Sequence, residues 1–270
     1  MSALLTEDYG YARLDGRDGA CGDRGSVMVS EDKGSYARFL VERREAILAR
    51  VAEAAARSGR NPDDVLVLAV SKTVGPEEVA LARRAGYRAF GENRPQELTR
   101  KLAALADDPE MADIRFDMIG NLQTNKINHV VGCVSLIHSI SSAHLAEAVS
   151  KRSVARGVVS DVLLETNVSG EESKSGFSPA ELVAEIDGIL ALPGIRVHGL
   201  MSMAPAHDAA EARRTFSGLR ALAEDLRTRT GLPLEELSCG MSDDYPIAVE
   251  EGSTIVRLGR TVFDPNYVIQ

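Results

Sequence analysis

The sequence predicts an α/β protein, a closed barrel of eight parallel strands that alternate with helices. The first observation is a run of six apolar residues, 65–70, between Pro62 and Gly75. Such runs are typical of parallel strands that are covered on both faces. The second is the alternation of short apolar segments with helical patterns along the chain. The third is their number, since eight strands preceded by one helix fit a (β/α)8, or TIM, barrel that the N-terminal helix closes.

The chain is predicted to begin with a flexible tail, residues 1–34, followed by a single domain, residues 35–270. Segment 15–25 is rich in glycine and charge and lacks the apolar bulk that a core requires. Apolar residues then recur at helical spacing from Tyr36 to Ala55, and Ser58-Gly59 ends that helix. This first helix is the one expected to close the barrel.

Helices and seven further strands follow the first strand. Proline opens two of the helices, at Pro76 and at Pro179, and the second of these has a capping box formed by Ser178 and Glu181. The remaining predicted strands are 88–90, 116–119, 134–137, 161–164, 195–201, 236–238 and 254–258. An open, doubly wound sheet is the alternative, but the chain has neither a Gly-x-Gly-x-x-Gly turn nor a Walker loop to support it.

Composition excludes several classes of protein. A net charge of -9 argues against a nucleic-acid binder and against a membrane-surface protein, because both need basic faces. The sequence shows no transmembrane run and no signal-peptide pattern. The three cysteines, Cys21, Cys133 and Cys239, are odd in number and far apart, which indicates reduced thiols in a cytoplasmic protein.

One lysine stands at the carboxyl end of the first predicted strand. Only six of the 31 basic residues are lysines, so the presence of Lys72 at this position needs an explanation. Strand ends of this kind carry the chemistry of α/β proteins. Partial burial there would favour the neutral amine, which attacks carbonyl compounds. The structural alternative is a lysine that extends from the strand end into solvent.

In a closed barrel, all eight strand ends share one rim, which predicts a ligand site at that face. The segments at these ends are Lys72, 91–93, 120–126, 138–139, 165–167, 201–203, 239–244 and 257–261. Two of them suit a phosphate group: Ser242 precedes a helix, and Gly259-Arg260 follows the eighth strand. Taken singly, each of these is more simply a helix cap or a turn. Together with Lys72 and Arg257 they favour a phosphorylated carbonyl ligand.

Other polar residues are weaker candidates. His138 and His144 have no partner at the spacing of metal ligands, so no metal site is predicted. Lys126 and Lys174 lie in polar loops and are second choices for the reactive amine. Nothing in the sequence indicates that Cys239 is activated.

Several segments together resemble one known family, the YggS/PROSC family of pyridoxal-phosphate-binding proteins. The similarity covers roughly residues 36–263 in matching order, which is far more specific than any single motif. The matching segments are 69–73, 91–93, 119–126, 138–140, 169–176, 240–244 and 251–259. The resemblance implies the barrel of the alanine racemase N-terminal domain and a role in vitamin B6 homeostasis, with little or no catalysis.

The resemblance also implies roles for individual residues. Lys72 matches the lysine that forms a Schiff base with pyridoxal phosphate, and Arg257 matches the arginine that faces the pyridine nitrogen. The phosphate cup and the ring contacts match Ser242, Gly259, the N–H of Arg260, Ser202 and Asn93. The chain departs from the family pattern at Arg94-Pro95, 116–118, Ser141 and Arg260.

The leading hypothesis is therefore a monomeric cytoplasmic protein that binds pyridoxal phosphate and buffers it or delivers it to apoenzymes. A permanently charged arginine beside the pyridine nitrogen makes the ring a weak electron sink, which favours a carrier. The chain ends about a dozen residues after the eighth strand, which leaves no room for the second domain of a racemase. The alternatives are an amino-acid racemase that uses Lys72 as a base, and a class I aldolase-like barrel.

Overall fold

A computed structural model of the chain describes residues 30–171 and 174–269. Its eight strands form a closed barrel in sequence order, and β8 pairs with β1. Every pairing is parallel, so the predicted barrel is confirmed. The strands are β1 (Leu66–Val70), β2 (Ala89–Glu92), β3 (Arg115–Met118), β4 (Leu136–Ile140), β5 (Ser160–Glu165), β6 (Ile195–Met201), β7 (Glu236–Ser238) and β8 (Ile255–Leu258).

Helices surround the barrel, and the N-terminal helix closes their ring as predicted. The helices are α1 (Ser30–Arg57), α2 (Pro76–Arg84), α3 (Pro95–Leu105), α4 (Ala143–Ala155), α5 (Pro179–Leu190), α6 (Ala209–Thr230), α7 (Tyr245–Glu250) and α8 (Arg260–Phe263). Helix α1 contacts α2 on one side and α7 and α8 on the other. The predicted capping box of α5 is present, with the Ser178 hydroxyl accepting from the N–H of Glu181.

Helix α1 begins at Ser30, five residues before the predicted start of the domain. Most of the predicted flexible tail, residues 1–29, lies outside the described residues. That prediction stays untested. No helix in the described part of the chain combines the length and the apolar character needed to cross a membrane.

The lumen of the barrel has an apolar layer beneath a polar one. The apolar layer consists of Leu68, Ala89, Leu136, Leu163, Met201 and Ile255. Alternation along a strand directs every second side chain to the same face. The residues two positions later therefore lie one layer higher in the lumen, and three of them are polar: His138, Glu165 and Arg257. The polar layer is the one nearer the carboxyl ends of the strands.

One predicted strand boundary is wrong in a way that matters for the site. The fourth strand was expected at 134–137, with His138 and Ser139 following it on the rim. Strand β4 instead runs Leu136–Ile140, so both polar residues lie inside the strand, and both are buried. His138 is stabilised in the lumen by side chains from distant parts of the chain. Such long-range partners cannot be read from a local apolar pattern.

Candidate functional site at the barrel mouth

The seven predicted site residues lie on one continuous arc of the rim. They belong to five strands that are consecutive around the barrel: β6, β7, β8, β1 and β2. In that order they are Ser202 after β6, Ser242 after β7, Arg257 within β8 with Gly259 and Arg260 beyond it, Lys72 after β1 and Asn93 after β2. An amine, a buried guanidinium, hydroxyl groups and an amide therefore meet at the same mouth.

Lys72 lies in the turn that follows β1, and its side chain is exposed. The expectation of partial burial is wrong for this residue, because β1 ends at Val70 and Lys72 stands beyond the last hydrogen-bonded rung. The backbone beneath it is firmly held, with the N–H of Ser71 donating to the carbonyl of Gly91 over 2.9 Å. Gly259 lies beside Val70, so the ends of β1 and β8 adjoin.

A fully buried ion pair lies directly behind this turn. Lys101 of α3 donates from Nζ to the carbonyl oxygen of Ser71 and to the Glu92 carboxylate, both over 2.5 Å. The other carboxylate oxygen of Glu92 accepts from the N–H of Asn93 over 2.8 Å. Because Lys101 is 1% exposed and Glu92 0%, neither charge is solvated by water. The pair ties the ends of β1 and β2 to α3 and thereby fixes the backbone on which Lys72 stands.

Arg257 is buried in the polar layer of the lumen. Its Nη1 donates to the carbonyl and to the hydroxyl of Ser238, over 2.7 and 2.8 Å, and its Nη2 donates to the carbonyl of Ser202 over 3.1 Å. Burial lowers the pKa of Arg257, but a guanidinium still keeps its proton at any physiological pH. Burial also raises the pKa of Glu165 across the lumen, and the charge of Arg257 opposes that rise.

The turns after β7 and β8 are joined by a small polar network. The Ser242 hydroxyl accepts from the N–H of Thr261 over 3.2 Å. Tyr267 lies against the same turn, with its hydroxyl 2.9 Å from the carbonyl of Ser242 and 2.8 Å from the carboxylate of Asp243. Arg260 donates to Asp243 over 2.7 Å. The Arg260 side chain is thus engaged by a neighbouring acid, which leaves its backbone N–H as its contribution to an anion site.

Asn93 and Ser202 differ in how far the protein satisfies their polar atoms. The Oδ1 atom of Asn93 is buried and finds no hydrogen-bond donor among the described residues. The Ser202 hydroxyl, by contrast, donates to the carbonyl of Thr166 over 2.7 Å. A buried acceptor without a partner is costly, so the Asn93 amide is the group in this arc that most needs a ligand.

The second-choice nucleophiles are less well placed. Lys126 lies in a 3-10 helix (Thr124–His129) on another part of the rim. Lys174 is engaged in an ion pair with Glu171 and also reaches the carbonyl of Met203 over 3.3 Å. Burial raises the pKa of Cys239 to about 12, so its thiol is not a nucleophile at neutral pH. Within 30–171 and 174–269, no group of three metal-ligating side chains occurs.

Sequence reasoning missed three polar residues that support the site, Asp117, Ser238 and Lys101, and it placed a fourth, His138, on the rim and not in the lumen. The sequence contains a signal for two of them, Asp117 and Lys101. Asp117 is a charged residue in the middle of a short apolar strand, which requires a partner. Lys101 falls between Leu98 and Leu105 on the apolar stripe of α3. Neither pattern identifies the partner, because His138 lies 21 residues from Asp117 and Ser71 lies 30 residues from Lys101.

The comparisons with known proteins agree with this geometry. The barrel and its site at the mouth place the protein in a known class of domain. The family model of the alanine racemase N-terminal domain matches residues 43–265. A pyridoxal phosphate homeostasis protein of Aquifex aeolicus is 40% identical over 223 residues, which are 82% of this chain and 96% of that protein. This chain belongs to the family of pyridoxal phosphate homeostasis proteins, and the resemblance to the YggS/PROSC family is confirmed.

Two solved structures agree with this assignment. An unknown protein from Bifidobacterium adolescentis is 41% identical with a TM-score of 0.80, and the match covers 88% of this chain and 98% of that one. PipY of Synechococcus elongatus, solved with pyridoxal phosphate bound, is 36% identical with a TM-score of 0.70. That match covers 79% of this chain and 99% of PipY.

We expect the Lys101–Glu92 pair to stabilise the fold only as a pair. Lys101→Met leaves the Glu92 carboxylate buried without its counter-charge and should lower the free energy of unfolding by roughly 3–5 kcal/mol. Adding Glu92→Gln removes that charge and should restore most of the loss. Urea unfolding followed by circular dichroism measures both. A double variant no more stable than Lys101→Met alone would contradict this account.

Proposed function

We propose that this chain binds pyridoxal 5′-phosphate at the barrel mouth and holds it as a Schiff base on Lys72. The observation that carries the proposal is the placement of Lys72, Arg257 and Ser242 on the consecutive strands β1, β8 and β7. An amine, a fixed cation and a hydroxyl in a turn are the three groups needed for an aldehyde, a pyridine nitrogen and a phosphate. The names of the relatives support the same ligand.

The residues present fit the ring of this cofactor. When bound, it supplies an aldehyde that condenses with a primary amine, and Lys72 is the lysine that reaches the mouth from β1. The buried Asn93 Oδ1 lacks a donor among the described residues. The hydrogen bonds of Arg257 with Ser238 and Ser202 employ only Nη1 and Nη2, so its Nε–H edge can face the ring nitrogen. Asn93 and Arg257 would orient the ring, and Ser202 would support Arg257 from behind.

The phosphate would be held by the turns after β7 and β8. Ser242 offers a hydroxyl, and Gly259-Arg260 opens the short helix α8, whose first N–H groups have no carbonyl partner within the helix. Gly259 has no side chain to crowd the anion. Since Asp243 already engages the Arg260 guanidinium, the cup would depend on hydroxyl and N–H donors more than on a free cation.

We infer a carrier with little or no catalysis. A pyridine nitrogen that faces the permanently protonated Arg257 stays unprotonated, and this weakens the ring as an electron sink. Burial keeps the Cys239 thiol unreactive. The protein would thus act in intracellular homeostasis of pyridoxal phosphate, as a buffer or donor for apoenzymes that use it. We propose a monomer in the cytoplasm, where unpaired thiols such as Cys133 and Cys239 are the rule.

Lys72→Ala should abolish covalent capture. Mixing the wild-type protein with pyridoxal phosphate should give a near-visible absorption band, and borohydride should fix the adduct to Lys72. In the alanine variant the band should be lost, whereas Lys126→Ala and Lys174→Ala, which change the other lysines near the rim, should keep it. A band of wild-type strength in Lys72→Ala would refute the assignment.

Ser242→Ala should weaken binding of the phosphorylated cofactor specifically. A hydrogen bond to a charged group contributes about 1.5–3 kcal/mol, which corresponds to roughly a tenfold to hundredfold loss of affinity. Titration with pyridoxal, which has no phosphate, is the matched control and should show no such loss. Equal weakening for both compounds would mean that Ser242 does not contact the phosphate.

The carrier proposal also predicts negligible turnover. Incubation of the loaded protein with L-alanine or L-serine, followed by chiral chromatography, should yield no more D-isomer than free pyridoxal phosphate does. Racemisation far above that background would favour the amino-acid racemase instead. Borohydride trapping of sugar phosphates in the absence of cofactor tests the aldolase-like alternative and should give no adduct.

A further inference from the structure

A chain of hydrogen-bonded polar side chains leads from Arg257 across the barrel. The Ser238 hydroxyl, which accepts from Arg257, lies 2.9 Å from Nδ1 of His138. Nε2 of His138 lies 3.1 Å from Oδ2 of Asp117. Arg115 donates to both oxygens of that carboxylate, from Nε to Oδ1 over 3.1 Å and from Nη2 to Oδ2 over 2.7 Å. The chain therefore joins a cation at the mouth to a second cation nearer the other end of the barrel.

This chain lies inside the lumen and not along the wall. Asp117, His138 and Ser238 are each 0% exposed. His138 is on β4 and Ser238 on β7, and these strands are not neighbours in the barrel. The bond between them must therefore cross the lumen. A buried polar network of this kind is stable only when every donor and acceptor in it is matched.

The available donors and acceptors determine the direction of each hydrogen bond between Arg257 and Asp117. Arg257 can only donate, so the Ser238 oxygen accepts from it and the single Ser238 proton goes to Nδ1 of His138. His138 then carries its own proton on Nε2 and donates it to Asp117. Asp117 only accepts, from His138 and from Arg115. Each group is satisfied with a neutral imidazole and an ionised carboxylate.

The charges around the chain agree with these protonation states. Burial, together with the charges of Arg257 and Arg115, lowers the pKa of His138 despite the opposing effect of Asp117. Burial raises the pKa of Asp117, but the hydrogen bond from His138 and the charge of Arg115 outweigh it and bring the pKa below its ordinary value. The remaining acids that face Arg257 are Glu165 from β5 and Asp244 from the turn after β7.

We propose that Asp117, His138 and Ser238 are positioning residues for Arg257. They orient the Ser238 hydroxyl with its oxygen toward the guanidinium and so fix the cation against the ring nitrogen of bound pyridoxal phosphate. The proposal rests on the proposed function, since it assigns the purpose of the chain to that cofactor. None of the three side chains touches the ligand, so their effect is transmitted through Arg257 alone.

Replacing His138 should break this series of hydrogen bonds without a change of charge. In His138→Leu the Ser238 proton loses its acceptor at Nδ1, so the hydroxyl is no longer held with its oxygen toward the guanidinium. Asp117 keeps both of its bonds from Arg115. The hold on Arg257 loosens.

The decisive experiment combines two measurements on the full-length protein. Nitrogen-15 NMR of the cofactor-free protein should show the Nε2–H tautomer of His138 in the wild type, and the absence of the signal in His138→Leu assigns it. In the loaded protein, a less firmly held Arg257 makes a positive charge on the imine less unfavourable. The pH midpoint of the near-visible band should therefore rise by about 0.3–0.5 in His138→Leu.

Matched variants separate positioning from general damage. His198→Asn breaks a similar bond, to Asp161 over 2.7 Å, that lies outside the chain, and it should leave the midpoint unchanged. Ser238→Ala severs the link with a minimal loss of volume and should raise the midpoint by itself. In the Ser238→Ala background, His138→Leu should add nothing further. Thermal unfolding of each variant verifies that it is folded.

Each result decides a different question. A wild-type tautomer opposite to the one predicted overturns the inference. An unchanged midpoint in both His138→Leu and Ser238→Ala, with the cofactor still bound, overturns it while leaving the proposed function intact. Additive shifts in the double variant overturn the transmission through Ser238. A wild type that binds no pyridoxal phosphate overturns the proposed function and this inference together.

Discussion

A permanent positive charge inside the barrel is the constraint that the rest of the site obeys. Arg257 cannot give up its proton, and a buried unpaired charge costs several kcal/mol. Acceptors therefore have to surround it, and two of them are the carbonyl oxygens of Ser238 and Ser202. These carbonyls lie at the ends of the neighbouring strands β7 and β6. The height at which those strands end and the position of the guanidinium therefore depend on each other.

The lumen of the barrel contains two layers of side chains with different roles. The apolar layer around Leu68, Leu163 and Ile255 provides the packing that a closed parallel sheet requires. In the layer above it, charges and hydrogen bonds around His138 and Arg257 take the place of apolar packing. Charge inside a fold lowers its stability unless every partner is present, so residues that never meet a ligand become as necessary to the mouth as those that do.

Much of this organisation could be predicted from the sequence, and the failures share a cause. The eight-stranded barrel and its closing helix follow from local patterns, and the arc from Ser202 to Asn93 follows from strand order once the family resemblance supplies the residues. The interior network does not. The sequence predicts His138 on the rim because the apolar run of the fourth strand, 134–137, ends directly before it. Its burial depends on Ser238, a partner that no local pattern reveals. The exposure of Lys72 agrees with the structural alternative, a lysine that extends from the strand end into solvent, because β1 ends two residues before it.

The buried Lys101–Glu92 pair has a consequence for the residue that it supports. It fixes the main chain at Ser71, while the side chain of Lys72 is exposed to solvent. Any ligand that captures this amine must restrict the side-chain rotation open to an exposed lysine, at an entropic cost of up to about 2 kcal/mol. The same entropy is regained when the ligand leaves. A fixed backbone that carries an exposed lysine side chain is therefore well suited to a ligand that is captured and readily released.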